Sequence, residues 1–266
     1  MAEVTAKDVQ ALRQATGAGI LDARRALVES GGDHDKAALW LREQGLAGAT
    51  KRSGRERSEG AVSVVVTDGG RLGAVVVLEC ETDFVAKSAD FVRLVDTLCE
   101  RIALEGESAI AAANDEIDQL KITLKENIAP GRFARFEASE GALLESYLHV
   151  QNGRGVNGVL IEVAGADAAL AHDIAVHIAF ARPEYLRREE VPESVIAAER
   201  ATVETIARNE GKPEAQLPKI VEGRMNGWFK ERVLLEQPYA KDEKKTVAQV
   251  LNGAEVRRFA QVVVGA

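Results

Sequence analysis

The alternation of apolar and polar positions changes character several times along this chain, and each change predicts a different element. From 5 to 45, short helical patterns are separated by glycine-rich breaks. Thr5 is placed to cap the first helix, Gly17-Ala18-Gly19 breaks it, Gly31-Gly32 ends the second, and Asp33 caps the third. Leu12, Ile20, Leu27, Leu39 and Trp40 are the expected core of this unit, which is too short to be more than marginally stable alone. Further on, Ala74-Val75-Val76-Val77-Leu78 is continuous and β-branched, the pattern of a buried strand. Ser88 can then cap a helix whose Phe91, Leu94, Val95, Leu98 and Ile102 share one face. The connection between them carries Glu81-Thr82-Asp83-Phe84-Val85-Ala86-Lys87, an acid beside a bare aromatic with no evident core to fill. Such connections are exposed and carry function.

The strand-and-helix pattern then repeats. Glu59-Gly60-Ala61-Val62 leads to a hairpin through Thr67-Asp68-Gly69-Gly70, the Val-rich strand and a helix. Glu140-Gly141-Ala142-Leu143 leads to a turn through Asn152-Gly153-Arg154-Gly155, then Val159-Leu160-Ile161-Glu162-Val163 and a helix capped by Asp167. Asp-Gly and Asn-Gly pairs supply the positive φ angles that hairpin turns need. The expected fold class is therefore α+β: two repeated subdomains, each a helix on an antiparallel sheet. Between 183 and 232 the pattern breaks. Pro183 and Pro192 bracket an entry segment, Val195, Ala198, Thr202, Val203 and Ile206 mark one helix, and Asn209-Glu210-Gly211-Lys212-Pro213 reads as a turn. Leu217, Ile220, Val221, Met225, Trp228 and Phe229 mark the return helix of a protruding hairpin. The residues leave open whether it packs only on itself or offers a self-association surface. A short helix over 246–251 and a strand over 255–264, completing the second sheet, end the series.

Composition narrows the function. A net charge of -8 argues against a general nucleic-acid binder, since phosphate affinity needs clustered cations. The basic stretch Lys51-Arg52-Ser53-Gly54-Arg55-Glu56-Arg57 is short and interrupted, and reads as a solvated linker. Cys80 and Cys99 make neither a disulfide framework nor a zinc site and are expected as buried thiols. The start lacks a secretory signal and no apolar run suits a membrane span, so a cytoplasmic protein without membrane contact is expected. His172 and His177 lie about 140° apart around a helix, wrong for two ligands of one metal. There is no P-loop, no Gly-x-Ser-x-Gly elbow and no Cys-x-x-Cys, so no catalytic site, cofactor or metal is expected.

Five patches, in order, resemble the bacterial elongation factor Ts family. They are Leu12-Arg13 with Thr16-Gly17-Ala18-Gly19-Ile20 and Ala26-Leu27; Thr82 to Lys87; Ser146-Tyr147-Leu148-His149; Val221-Glu222-Gly223-Arg224-Met225; and Leu235-Glu236-Gln237-Pro238-Tyr239. The resemblance implies a guanine nucleotide exchange factor for the GTPase elongation factor Tu, acting in translation elongation by disturbing the magnesium and phosphate site. It implies a ubiquitin-associated-like three-helix domain over 1–50, a linker over 51–59 and a core N-subdomain over 60–139. A core C-subdomain over 140–182 and 229–266 follows, with a helical dimerisation arm over 183–228. No counterpart of the C-terminal helical module of some members is expected.

By the same resemblance Thr82, Asp83, Phe84 and Val85 dislocate the magnesium, while His149, Leu12, Gly19, Ile20, Leu21, Leu124 and Lys125 make further GTPase contacts. A homodimer or a 2:2 complex through the hairpin would follow, with no direct nucleic-acid contact. Taken alone, the residues allow other placements: Phe84 tucked under its own helix, Ile20 and Leu21 turned inward, His149 half-buried in a strand. Two positions depart from the family pattern. Glu79 stands for an Asn, adding charge beside the Asp83-Phe84 corner, and Leu124-Lys125-Glu126-Asn127 replaces an Ile-Gly-Glu-Asn-like stretch. Rivals from other classes are a binding scaffold without effect on nucleotide and an enzyme using Asp83 with His149.

Overall fold

The computed structural model describes residues 4–266. Three helices open the chain: α1 (Ala6–Thr16), α2 (Ile20–Glu29) and α3 (His34–Arg52). Thr5 and Asp8 form a reciprocal capping box on α1, Gly17 closes it at φ 70°, and Asp33 caps α3 through the amides of Asp35 and Lys36. Val9, Leu12, Ala23, Ala26, Leu27, Ala37 and Leu41 make the core of this unit. Trp40 packs at its margin, but Ile20 and Leu39 are exposed, contrary to expectation. Small alanines let the helices approach closely enough to close the core without those two side chains.

The remainder is built in four layers. Strands β1 (Glu59–Thr67) and β2 (Leu72–Cys80) pair antiparallel, and beyond a one-turn helix, α4 (Asp83–Ala86), the long helix α5 (Ala89–Glu105) returns across them. Helices α6 (Ser108–Ala112) and α7 (Asn114–Leu124) follow, then β3 (Ala129–Glu137), which joins β2 to give the order β1-β2-β3. The second sheet, β4 (Ala142–Gln151), β5 (Arg154–Ala164) and β8 (Glu255–Val263), is also antiparallel and is covered by α8 (Ala168–Ala181). The two sheets pack face to face through Val62, Val75, Val77, Phe136, Leu144, Leu160 and Val262. Along β2, Ala74, Val76 and Leu78 face α5 while Val75 and Val77 face the other sheet. A strand buried on both faces is why the run reads as continuous rather than alternating.

Between α8 and β8 the chain forms the hairpin α9 (Glu193–Asn209) and α10 (Leu217–Arg232), then β6 (Pro238–Tyr239), β7 (Asp242–Thr246) and α11 (Val247–Leu251). The hairpin has its own core of Val191, Val203, Val221, Met225, Trp228, Phe229 and Val233. On α9 only Val203 of the expected face is buried; Ile196 and Ala207 complete the inner side, and Val195, Ala198, Thr202 and Ile206 face outward. The apolar positions of α9 wrap wider than one stripe, and α10 selects which of them it covers. His177 is buried in α8 with Nε2 on Gln237 Oε1 at 3.0 Å and Nδ1 accepting the Ala240 amide at 3.2 Å. Both cysteines are buried, and burial pushes each thiol up to about 12. No helix among the described residues is long and apolar enough to cross a membrane.

Candidate functional site: the Thr82–Val85 corner

The corner after β2 is a single helical turn rather than an irregular loop. Thr82 is extended at φ -126° and ψ 151°, and its hydroxyl oxygen accepts the Val85 amide at 3.3 Å, so it caps α4. Ala86 is buried and Val85 packs on the core under α5, which pins one side of the turn. The opposite side carries Phe84, 82% exposed. The ring has no partner within the chain's core, so the alternative of Phe84 tucked under its own helix does not hold. Asp83 accepts Lys87 Nζ one turn on, and that hydrogen bond, ahead of the Coulombic attraction, holds its carboxyl below the usual range. Ser88 occupies the cap of α5, but its hydroxyl is buried without a partner instead of capping.

Two segments distant in sequence support the corner. Glu126 accepts the backbone amides of Glu81 and Thr82 through Oε2 at 3.0 and 3.1 Å, and the Thr82 hydroxyl through Oε1 at 2.5 Å. The expected linker is not merely solvated: Arg55 reaches Glu81 at 3.3 Å, Arg57 reaches Glu79 at 3.2 Å, and Arg52 donates to the Lys121 carbonyl at 3.0 Å. Glu79 therefore adds no bare charge beside Phe84. Helix α3 also runs to Arg52, past the expected start of the linker.

The remaining site residues separate into groups. Ile20 and Leu21 are 59% and 79% exposed at the start of α2, so the inward placement fails, and Gly19 is the residue before that helix. Leu12 is sealed in the three-helix core at 2% exposure, which corrects its assignment as a contact residue. Its apolar period marks a core position, and the exposed apolar residues of this unit lie elsewhere. Leu124 packs partly on the core beneath α5. Lys125 takes a left-handed backbone, φ 59°, where glycine is favoured, and its Nζ meets Asp22 Oδ2 at 2.8 Å. That bond ties α7 to the helix bearing Ile20 and Leu21. His149 is exposed near the end of β4, with Nδ1 3.3 Å from the Tyr147 hydroxyl, so the half-buried placement fails as well.

The turn after β4 lies at the same end of the molecule as Phe84. Arg154 there donates to Glu59 Oε2 at 2.6 Å and to the Gly60 carbonyl at 2.7 Å, and Glu59 is the partner of Cys80 in the β1–β2 register. Glu126, Asn127, Lys87 and Arg154 lie in stretches the sequence singled out, but it gave none of them a role of its own. Lys87 was recoverable from its i,i+4 spacing to Asp83. Nothing local links Glu126 or Arg154 to positions so far away. Among the described residues no cluster of three or more His, Cys, Asp or Glu side chains is placed to hold a metal ion.

Comparison with known proteins bears on the family of the chain. The model of the family described as Elongation factor TS matches residues 81–266. The elongation factor Ts of Renibacterium salmoninarum is 44% identical over 283 aligned positions, and that of Streptomyces griseus 44% over 280, each covering the whole of both chains. The protein of that name from Streptomyces coelicolor is 41% identical, again over both full lengths. A family match over most of the chain together with full-length relatives at this identity means that the chain belongs to the elongation factor Ts family.

Proposed function

We propose that this protein is a guanine nucleotide exchange factor for elongation factor Tu in translation elongation, and that it loosens the GTPase's magnesium and phosphate site with Phe84. The observation that carries the reading is a large aromatic ring held outside its own core on a turn pinned by Val85 and Ala86. Burying such a ring in a partner releases about 1.5–3 kcal/mol. Magnesium demands near-ideal octahedral geometry, so a small shift of its neighbours costs the nucleotide much of its hold. Asp83 is engaged by Lys87 in the free protein. On docking it exchanges that cation for donors of the partner. Ile20 and Leu21 supply a second, apolar contact, and His149 a supporting polar one.

Coupling is reciprocal: a factor that weakens nucleotide binding is itself expelled when fresh nucleotide binds. It must prefer the nucleotide-free conformation, since equal affinity shifts no equilibrium. The factor makes and breaks no bond, and the site of action is the cytoplasm. The outward stripe Val195, Ala198, Thr202 and Ile206 of α9 is the surface we assign to a homodimer or 2:2 complex. Light scattering of Ile206→Glu should then show half the wild-type mass, and an unchanged mass would exclude that surface. For exchange itself, release of a fluorescent nucleotide from the magnesium-loaded GTPase should accelerate with the wild-type chain and hardly at all with Phe84→Ala plus Asp83→Ala. Equal release with and without the wild-type chain would leave a scaffold.

A further inference from the structure

A one-turn helix has little stability of its own, because helix nucleation fixes several residues for one hydrogen bond. Something outside α4 must therefore hold the direction of Phe84. The bonds are unusually concentrated on one side chain. Both Glu126 oxygens are used, three donors arriving from Glu81 and Thr82, and the same Thr82 hydroxyl caps the turn that bears Phe84. The grip is returned: Glu81 Oε1 accepts the Asn127 amide at 2.7 Å. Asn127, itself buried, donates from Nδ2 to the carbonyls of Ser53 and Arg55 at 3.1 and 2.7 Å. A closed circuit thus joins the linker, the end of α7 and the corner.

We infer that Glu126 is a positioning residue for Phe84: it fixes the corner through Thr82 and does not itself touch the GTPase. The inference rests on the exchange reading and gives the segment after α7 a task beyond supplying contacts. Fixing an exposed ring before docking removes an ordering cost that would otherwise be met during the exchange step. Losing the carboxylate also leaves the Glu81 and Thr82 amides in need of new acceptors, which frees the turn to fray.

Four full-length variants test this: Glu126→Ala, Glu126→Gln, Phe84→Ala, and Glu126→Ala combined with Phe84→Ala. Nucleotide release is followed at rising factor concentration. With Glu126→Ala the rate at saturating factor should fall roughly tenfold, the equivalent of one or two hydrogen bonds, while the half-saturating concentration moves little. Glu126→Gln, which keeps one acceptor, should recover part of the loss. In the Phe84→Ala background, Glu126→Ala should cost nothing more, because a residue acting only through another is fully non-additive with it. An undiminished extra loss in the double variant would place Glu126 on the partner and overturn the proposal.

Amide hydrogen exchange of the free protein supplies an independent readout. The Glu81 and Thr82 amides should exchange faster in Glu126→Ala while that of Val76, in the core of β2, keeps its protection. Unchanged protection at 81 and 82 overturns the latch whatever the release assay shows. If the wild-type chain does not accelerate release, the exchange reading has failed, and hydrogen exchange still decides the latch. Should Glu126→Ala not fold, Glu126→Gln enters the same two assays.

Discussion

Two strand-to-helix corners occupy equivalent places in the two halves of the core, and they are built differently. After β5 the chain takes Gly165 at φ 70°, then Ala166, and enters α8 at Asp167, whose carboxylate caps the helix by accepting the Leu170 amide at 2.8 Å. After β2 the chain inserts a whole helical turn before α5, and the residue at the cap of α5, Ser88, makes no capping bond. The first of these is the economical way to join a strand to its covering helix. The second spends several residues and a buried unpaired hydroxyl to hold Phe84 in solvent. A connection that gives up local satisfaction, and needs Glu126 and Arg55 from elsewhere to support it, is what the proposed exchange role of Phe84 would demand.

Breaking the hydrophobic seat of the corner is the largest test. Phe91 is fully buried in the same core cluster as Ala86, so Phe91→Ala should lower stability by about 3–5 kcal/mol in chemical denaturation, and exchange activity should be lost with the fold. Phe84→Ala separates the two effects. It should leave stability within about 0.5 kcal/mol of wild type, since the ring is exposed, and slow nucleotide release on the order of ten- to hundredfold, the value of one buried aromatic. A substitution at the second corner, Ala166→Ser, should leave release untouched.

The two caps give a smaller and sharper contrast. Asp167→Ala should cost about 1 kcal/mol in thermal unfolding, whereas Ser88→Ala should cost close to nothing because no hydrogen bond is lost. Equal losses would show that the corners are held in the same way. The smallest effect concerns pH and a buried group of the second half. Burial, opposed by the Gln237 bond, lowers the folded pKa of His177 below 6.5. The unfolded chain then binds the extra proton first, so this stability is complete above about pH 6.5 and is lost as pH falls towards the folded value. Urea titrations at pH 7.5 and 5.5 should show the drop in the wild-type chain and a smaller one in His177→Gln.

Local chemistry made much of the fold legible before any coordinates. The caps at Thr5, Asp33 and Asp167 work as the residue types suggest, whereas Ser88 does not, and the Asn152-Gly153 turn has the two positive φ angles its hairpin demands. Where the pattern misled, competition among apolar residues was the reason. Ile20, Leu39, Val195 and Ile206 are as apolar as their buried neighbours, and only the position of the facing helix decides which are covered. Leu12 failed in the opposite sense, because a residue inside a recognisable motif can serve the core that shapes the motif.

By itself the sequence determined the long helices, the hairpin strands, several caps and the presence of an acid and an aromatic between β2 and α5, because capping, turn geometry and apolar periodicity act within a few residues. Tertiary structure decided the face-to-face packing of the two sheets, the seating of the linker arginines on Glu79 and Glu81, and the grip of Glu126 on Thr82. Those contacts join residues tens of positions apart, and no local periodicity encodes which distant partner a polar side chain will meet.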